Sequence, residues 1–147
     1  MEIDDIDKRI LKELATDCRR SYRQIARKVR VSVGTVLNRI RRMEEAGVIR
    51  GYSAMIDHEK VGYPLTGIAE VTVSKGKLYE MEIAISKLPN TCAVYDTTGL
   101  TDALVIAKFR SREEMSKFAK SLLSMPFVDR TNTHVVLTTI KEDFRLL

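Results

Sequence analysis

Apolar residues in the first fifty positions recur at helical spacing. Ile6, Ile10, Leu11 and Leu14 form one such set, with Asp4 and Asp7 placed to cap its start. "SYRQIARKV" (21–29) opens a second helix. Ser21 at the N-cap and Gln24 three residues later make a capping box, and Tyr22, Ile25, Ala26 and Val29 are expected inward. After the break "RVS", Ser32 caps a third helix with Val33, Val36, Leu37, Ile40 and Met43 expected inward. Gly47 stops it, as a glycine just past a helix end does. Three helices in about 45 residues, the last two joined by a tight turn, predict a helix-turn-helix. The second helix of such a pair is the one that enters the major groove.

The period then changes. "VIRGYSAMID" (48–57) alternates and predicts a strand, and "HEKVGYP" (58–64), with Gly62 and Pro64, reads as the end of a linker. Beyond it the chain predicts a strand at 66–74, a helix at 77–88 and strands at 93–98 and 103–110. A helix at 112–124 and a strand at 133–140 follow. A shift of 37 residues lays Leu78, Met81, Ile85, Leu88 and Pro89 onto Met115, Phe118, Leu122, Met125 and Pro126. Two strand–helix–strand units of the same plan predict a ferredoxin-like βαββαβ sandwich. The fold class is therefore α+β. A helix-turn-helix (winged-helix-like) domain is expected at 1–50, a strand and linker at 51–64, and the sandwich at 65–147. Helices cover one sheet face, yet "ALVIAKF" is apolar on both sides, which predicts a homodimer packed through the sheets and open to larger assembly.

Composition adds a division of labour. The 147 residues are 44% hydrophobic and contain no Trp, so an aliphatic core is expected. The net charge of +5 is uneven. Residues 1–50 hold 13 basic and 8 acidic side chains, and residues 51–147 hold 12 of each. Residues 18–50 carry 10 basic residues, 9 of them Arg, against 2 acidic ones. Arginine's planar fork suits phosphates and base edges, so the first module points to nucleic acid and the neutral second one to another task. A solvated helical face would show the same charges. Cys18 and Cys92 stand far apart with no C-x-x-C motif and read as reduced and partly buried. "MEIDDIDKRI" lacks a signal-peptide core, and "ALVIA" (103–107) is too short to span a bilayer, so a cytoplasmic protein with no membrane partner is expected.

On a helical wheel, Gly34, Thr35, Asn38, Arg41, Arg42 and Glu45 face away from the apolar arc, with Arg39 on the flank. Ser32, Gly34 and Thr35 leave a slim N-terminal end for close approach, and the Thr methyl can touch thymine. Asn38 can pair with adenine, and Arg39, Arg41 or Arg42 with guanine or phosphate. Arg19, Arg20, Arg23 and Arg27 can hold flanking phosphates.

The segment "IDDIDKRILKELATDCRRSYRQIARKVRVSVGTVLNRIRRMEEAGVIRGYSAMIDHEKVGY" resembles the N-terminal half of Lrp/AsnC (feast/famine) transcription regulators. "VYDTTGLTDALVIAKF" and "VDRTNTHVVLTTI" resemble that family's ligand-sensing domain. The resemblance implies a homodimer assembling to tetramers or octamers, double-stranded promoter DNA as partner, and an amino-acid effector between dimers. The effector turn would be Thr97, Thr98, Gly99, Leu100, Thr101 and Asp102; Gly99 and Asp102 match the family pattern and Leu100 replaces its first acid. Backbone N–H groups at the Gly turn can meet a carboxylate and Asp102 an ammonium group, or the two residues simply shape the turn. Thr133 and His134 are weaker ligand candidates.

Enzymatic readings find little support. No nucleophile elbow, P-loop, zincin or dinucleotide motif is visible, and His58 and His134 are the only histidines, so no catalytic residue, metal or cofactor is expected. A siroheme-decarboxylase-like enzyme of the same architecture and an architectural DNA-coating protein remain the alternatives.

Overall fold

The computed structural model describes residues 2–146. The chain divides into two compact units. One runs to Met55 and takes in the chain from Lys141 onward; the other is Ile56–Ile140.

The first unit is built on α1 (Asp5–Thr16), α2 (Tyr22–Val29) and α3 (Val33–Glu45). Each start is capped. Asp4 and Asp7 close a reciprocal capping box on α1, and Ser21 and Gln24 close one on α2. Ser32 Oγ accepts the Thr35 N–H at 3.0 Å to cap α3. α3 ends at Gly47, whose φ of 70° lets the Val48 N–H reach Met43 O (2.9 Å) and its own N–H reach Glu44 O (3.0 Å). Ile10, Leu14, Ile25, Ala26, Val29, Val36, Ile40 and Met43 form the core. Three residues expected inward are exposed instead: Tyr22, Val33 and Leu37. Tyr22 and Val33 each occupy the first position of a helix, where the chain has not yet turned over the core; Leu37 lies at the margin of a narrow stripe.

The strand expected at 48–57 does not form. Among the described residues no neighbouring strand offers it a ladder, Gly51 breaks its direction at φ 154°, and Tyr52, Met55 and Ile56 are exposed. Tyr52 Oη donates to Glu44 Oε1 at 2.7 Å and ties the segment to α3. Arg145, paired with Asp143, also donates to Ala15 O at 3.4 Å, near the carbonyl end of α1, which has no basic residue in its last turn.

The second unit contains β1 (Leu65–Val73), α4 (Leu78–Ser86), β2 (Thr91–Asp96), β3 (Ala103–Phe109), α5 (Arg112–Leu123) and β4 (Val128–Val135). The antiparallel sheet has order β2-β3-β1-β4, the expected ferredoxin-like arrangement. Buried and half-buried positions alternate along β1 and β3, as a sheet with one covered face requires. Met81, Ile85, Phe118 and Leu122 pack that face, and Phe109 meets Phe118 edge-on at 5.2 Å.

The last strand begins and ends five residues earlier than expected. Its ladder on β1 runs from Val73↔Val128 to Gly67↔Val135 and closes on the Val136 N–H to Thr66 O bond, one residue short of the start of β1 at Leu65. The apolar run read as strand therefore leaves Leu137 and Ile140 in solvent. Cys18 and Cys92 are both exposed, contrary to expectation: Cys18 lies in the turn between α1 and α2, and Cys92 on edge strand β2.

Candidate nucleic-acid interface and ligand turn

The outward side of α3 carries Gly34, Asn38, Arg41 and Arg42, all exposed, with Thr35 half-buried beside them. An added Cβ at Gly34 would meet only Ser32 Oγ, at 3.9 Å, so the helix start is open to a close approach from outside. Asn38 has no partner among the described residues, which leaves its amide and carbonyl available. The exposed Val33 and Leu37 add apolar surface beside them, a feature the helical wheel assigned to the core.

The arginines separate into two sets. The first is engaged inside the unit. Arg39 Nη1 donates to Asp4 Oδ2 at 2.6 Å and to Asp7 Oδ1 at 2.9 Å, and Arg42 Nη2 donates to Asp7 Oδ2 at 3.0 Å. Asp7 is fully buried, and these two guanidinium groups neutralise it. The Arg39 bond and the Asp7 N–H hold the Asp4 carboxyl down to a pKa of about 2. Glu13 holds Arg20 and Lys28, Asp17 holds Arg19, and Glu45 holds Arg41. Of these, Arg19, Arg41 and Arg42 remain at least half exposed, whereas Arg20 and Arg39 are largely enclosed.

The second set is free. Arg23, Arg27, Arg30 and Arg50 are exposed and make no ion pair or side-chain hydrogen bond among the described residues. Arg23 and Arg27 lie one turn apart on the side of α2 opposite Ile25 and Val29. The Arg39–Asp7 link was not anticipated from sequence; the signal was the acidic residue at the third position of α1, which reads as part of a cap alone.

In the second unit, residues 97–102 form a closed turn. The Thr97 N–H donates to Asp102 O (3.0 Å) and Thr97 Oγ1 to Thr101 O (3.3 Å). Gly99 has φ 120°, a conformation side chains rarely adopt, and Thr98, Gly99 and Leu100 are exposed. The N–H groups of Gly99 and Leu100 bond to nothing among the described residues. Asp102 is partly committed: its Oδ2 accepts the Val73 N–H at 2.8 Å and its N–H donates to Val71 O. Thr101 also borders a shallow depression of about 300 Å³ with Glu70, Thr72, Arg130 and Asn132. Thr133 and His134 part company. Thr133 is paired with Ala69 on the helix-covered face, whereas His134 stands on the open face, 3.6 Å from Glu70 and 3.1 Å from Asn132.

A capped helix-turn-helix joined in one chain to a ferredoxin-like sandwich is the architecture of a transcriptional regulator with a DNA-binding and a ligand-binding domain. Residues 3–50 match the winged helix-turn-helix DNA-binding family, and residues 66–146 match the Lrp/AsnC ligand binding domain. The chain belongs to the Lrp/AsnC family of transcriptional regulators. It is 51% identical to an uncharacterised HTH-type transcriptional regulator of Pyrococcus furiosus over 99% of both chains. It is 36% identical to the HTH-type transcriptional regulator FL11 of Pyrococcus horikoshii, over 98% of this chain and 95% of that one. Among solved structures, a Neisseria meningitidis transcriptional regulator in complex with L-methionine superimposes with a TM-score of 0.89 at 29% identity, covering 99% of this chain and 97% of that one. No helix among the described residues is long and apolar enough to cross a membrane.

Proposed function

We propose that this regulator binds duplex DNA through the outward side of α3 and the free arginines of α2, as a sequence-specific switch and not as an enzyme. The observation that carries the reading is the set of exposed, unpartnered side chains: Asn38 on α3, behind the open Gly34 end, and Arg23 and Arg27 on the outward side of α2. Asn38 reads a base edge, Thr35 and Leu37 offer methyl groups to thymine, and Arg23 and Arg27 hold phosphates. Arg19, Arg41 and Arg42 reach DNA from their present ion pairs, since each keeps an exposed guanidinium. Arg20 and Arg39 serve the helix packing. The domain roles follow the same logic: 1–50 for DNA, 51–64 as connection, and the sandwich from 65 onward for sensing and assembly, with the chain from Lys141 counted in the first compact unit.

The open sheet face carries Ile68, Leu104 and Ile106, half-buried in one chain, and supports a homodimer paired through this face. Such a dimer sets two α3 helices in successive major grooves, roughly 34 Å apart, and further dimers extend the contact along DNA. The effector is an amino acid at the Thr98–Asp102 turn. Gly99 and Leu100 N–H groups bind its carboxylate, the spare Asp102 oxygen its ammonium group, and the turn passes the signal to dimer packing. The relative's L-methionine complex supports this ligand class. Action in the cytoplasm follows from the DNA partner.

The test is quantitative binding to genomic fragments selected by the protein itself, with random duplex as competitor. A preference of about 10³-fold or more is expected of a sequence-reading regulator. Near-equal affinity would instead mark an architectural DNA-coating protein. Titration of the twenty amino acids against the protein–DNA complex, with wild type and Asp102→Ala, tests the effector. Identical responses in both would remove Asp102 from the site.

A further inference from the structure

Arg30 is the one non-glycine residue with positive φ among the described residues. It caps the C-terminus of α2 at φ 61°, ψ 50°, squarely left-handed. The turn needs this conformation. It lets the Val31 N–H fold back to Ala26 O at 3.1 Å, sets Val31 against the core, and delivers Ser32 to the N-cap of α3 two residues later. Glycine meets that need at lower conformational cost, because an L side chain in this region crowds its own carbonyl. The backbone therefore explains the geometry but not the residue.

Nothing inside the fold explains the side chain either. Arg30 is exposed and makes no ion pair or hydrogen bond among the described residues, while the acidic groups of the unit engage Arg19, Arg20, Arg39, Arg41 and Arg42. Its position closes the sequence row Arg23, Arg27, Arg30: the first two lie on the outward side of α2, and Arg30 is the C-cap just past its end. That row ends at the start of α3, where the slim Ser32–Gly34 end is open.

We propose that Arg30 is a phosphate contact to duplex DNA, retained in a left-handed turn where glycine would give a more stable fold. The inference rests on the DNA-binding reading above. It places the guanidinium on the sugar–phosphate backbone beside the groove that α3 enters, where it adds affinity without reading sequence. Strained backbone positions cluster at functional sites, and here the strain and the unpartnered charge fall on one residue.

Opposite signs in two measurements test this. Arg30→Gly should raise the thermal unfolding midpoint by about 2–5 °C, a shift appropriate to removing one unfavourable φ in a chain of this size. The same variant should bind the selected duplex about three- to tenfold more weakly near 0.1 M salt. Its slope of log affinity against log salt should fall by about 0.9 per bound chain. Arg30→Ala, which keeps the conformational cost, should lose the same binding with no gain in midpoint. Arg30→Lys should restore the slope. Unchanged affinity and slope in Arg30→Gly, or weakened binding with an unchanged slope, would overturn the proposal, as would a lysine variant that fails to restore the slope. If wild-type protein binds no duplex at low salt, the DNA-binding reading itself fails; if wild type binds and only the Arg30 results differ from these, this inference alone fails.

Discussion

The two units use their charged groups in opposite ways. In the first, acidic side chains hold chosen arginines: Asp4 and Asp7 take Arg39 and Arg42, Glu13 takes Arg20, and Asp17 takes Arg19. What stays unengaged among the arginines is Arg23 and Arg27 on one side of α2, Arg30 at its end, and Arg50 beyond α3. In the second unit charge is balanced, and the fold rests on apolar layers: β1 and β3 against α4 and α5, centred on Val71, Val105, Phe109 and Leu122. Its one structurally committed acid near the ligand turn, Asp102, caps strand backbone. A basic patch is therefore not a count of arginines. It is the remainder after the fold has taken its share.

The contrast can be tested from its largest effect downward. Phe109→Ala empties the sheet–helix interface and should destabilise the Ile56–Ile140 unit by about 3–5 kcal/mol. Hydrogen exchange should show the loss confined to that unit, and added salt should not change it. Asp7→Ala removes the buried carboxylate between Arg39 and Arg42 and half of the α1 capping box, and should cost the first unit about 2–3 kcal/mol by denaturant unfolding. An effect below 0.5 kcal/mol, on the order expected of a surface site, would mean the arginines are not held as described. Asp102→Ala leaves the Val73 N–H without its acceptor and should cost about 1–2 kcal/mol even without ligand.

The smallest expected effect is a pH dependence. Arg39 holds Asp4 at a pKa of about 2, below its ordinary value. A depressed carboxyl stabilises the folded state above the unfolded pKa, near 3.9, and this contribution is lost as pH falls through about 2. Asp4→Asn should therefore flatten the acid limb of stability between about pH 4 and 2, measured by thermal melts in low salt. An unchanged limb would place the acid sensitivity elsewhere.

Much of this architecture was legible in the chain because local signals agreed with one another. Ser21 with Gln24, Ser32, and Gly47 marked helix ends by hydrogen-bonding capacity alone, and the 37-residue echo marked the two halves of the sandwich. The failures have physical causes. Alternation at 48–57 looks like a strand, but a strand exists only with a partner, and none lies within the described chain. The last strand slipped because β1 chooses "VDRTNTHV" by register, and apolar content at 136–140 could not reveal that. At the candidate site the face of α3 was readable from its period. Which arginines stay free was not, because the link from Asp7 to Arg39 spans 32 positions and depends on how α1 packs across α3. Arg30 was invisible for a similar reason: sequence records an arginine, and only the backbone shows that it stands in a glycine's conformation.

Salt-dependent binding of the selected duplex by two variants tests most directly the division between held and free arginines. The Arg23→Ala/Arg27→Ala double variant should lower the slope of log affinity against log salt by about 1.8 per bound chain and keep the wild-type melting midpoint. Arg39→Ala should lower the midpoint by several degrees and leave the slope as in wild type. A slope that falls in Arg39→Ala and holds in the double variant would contradict the division.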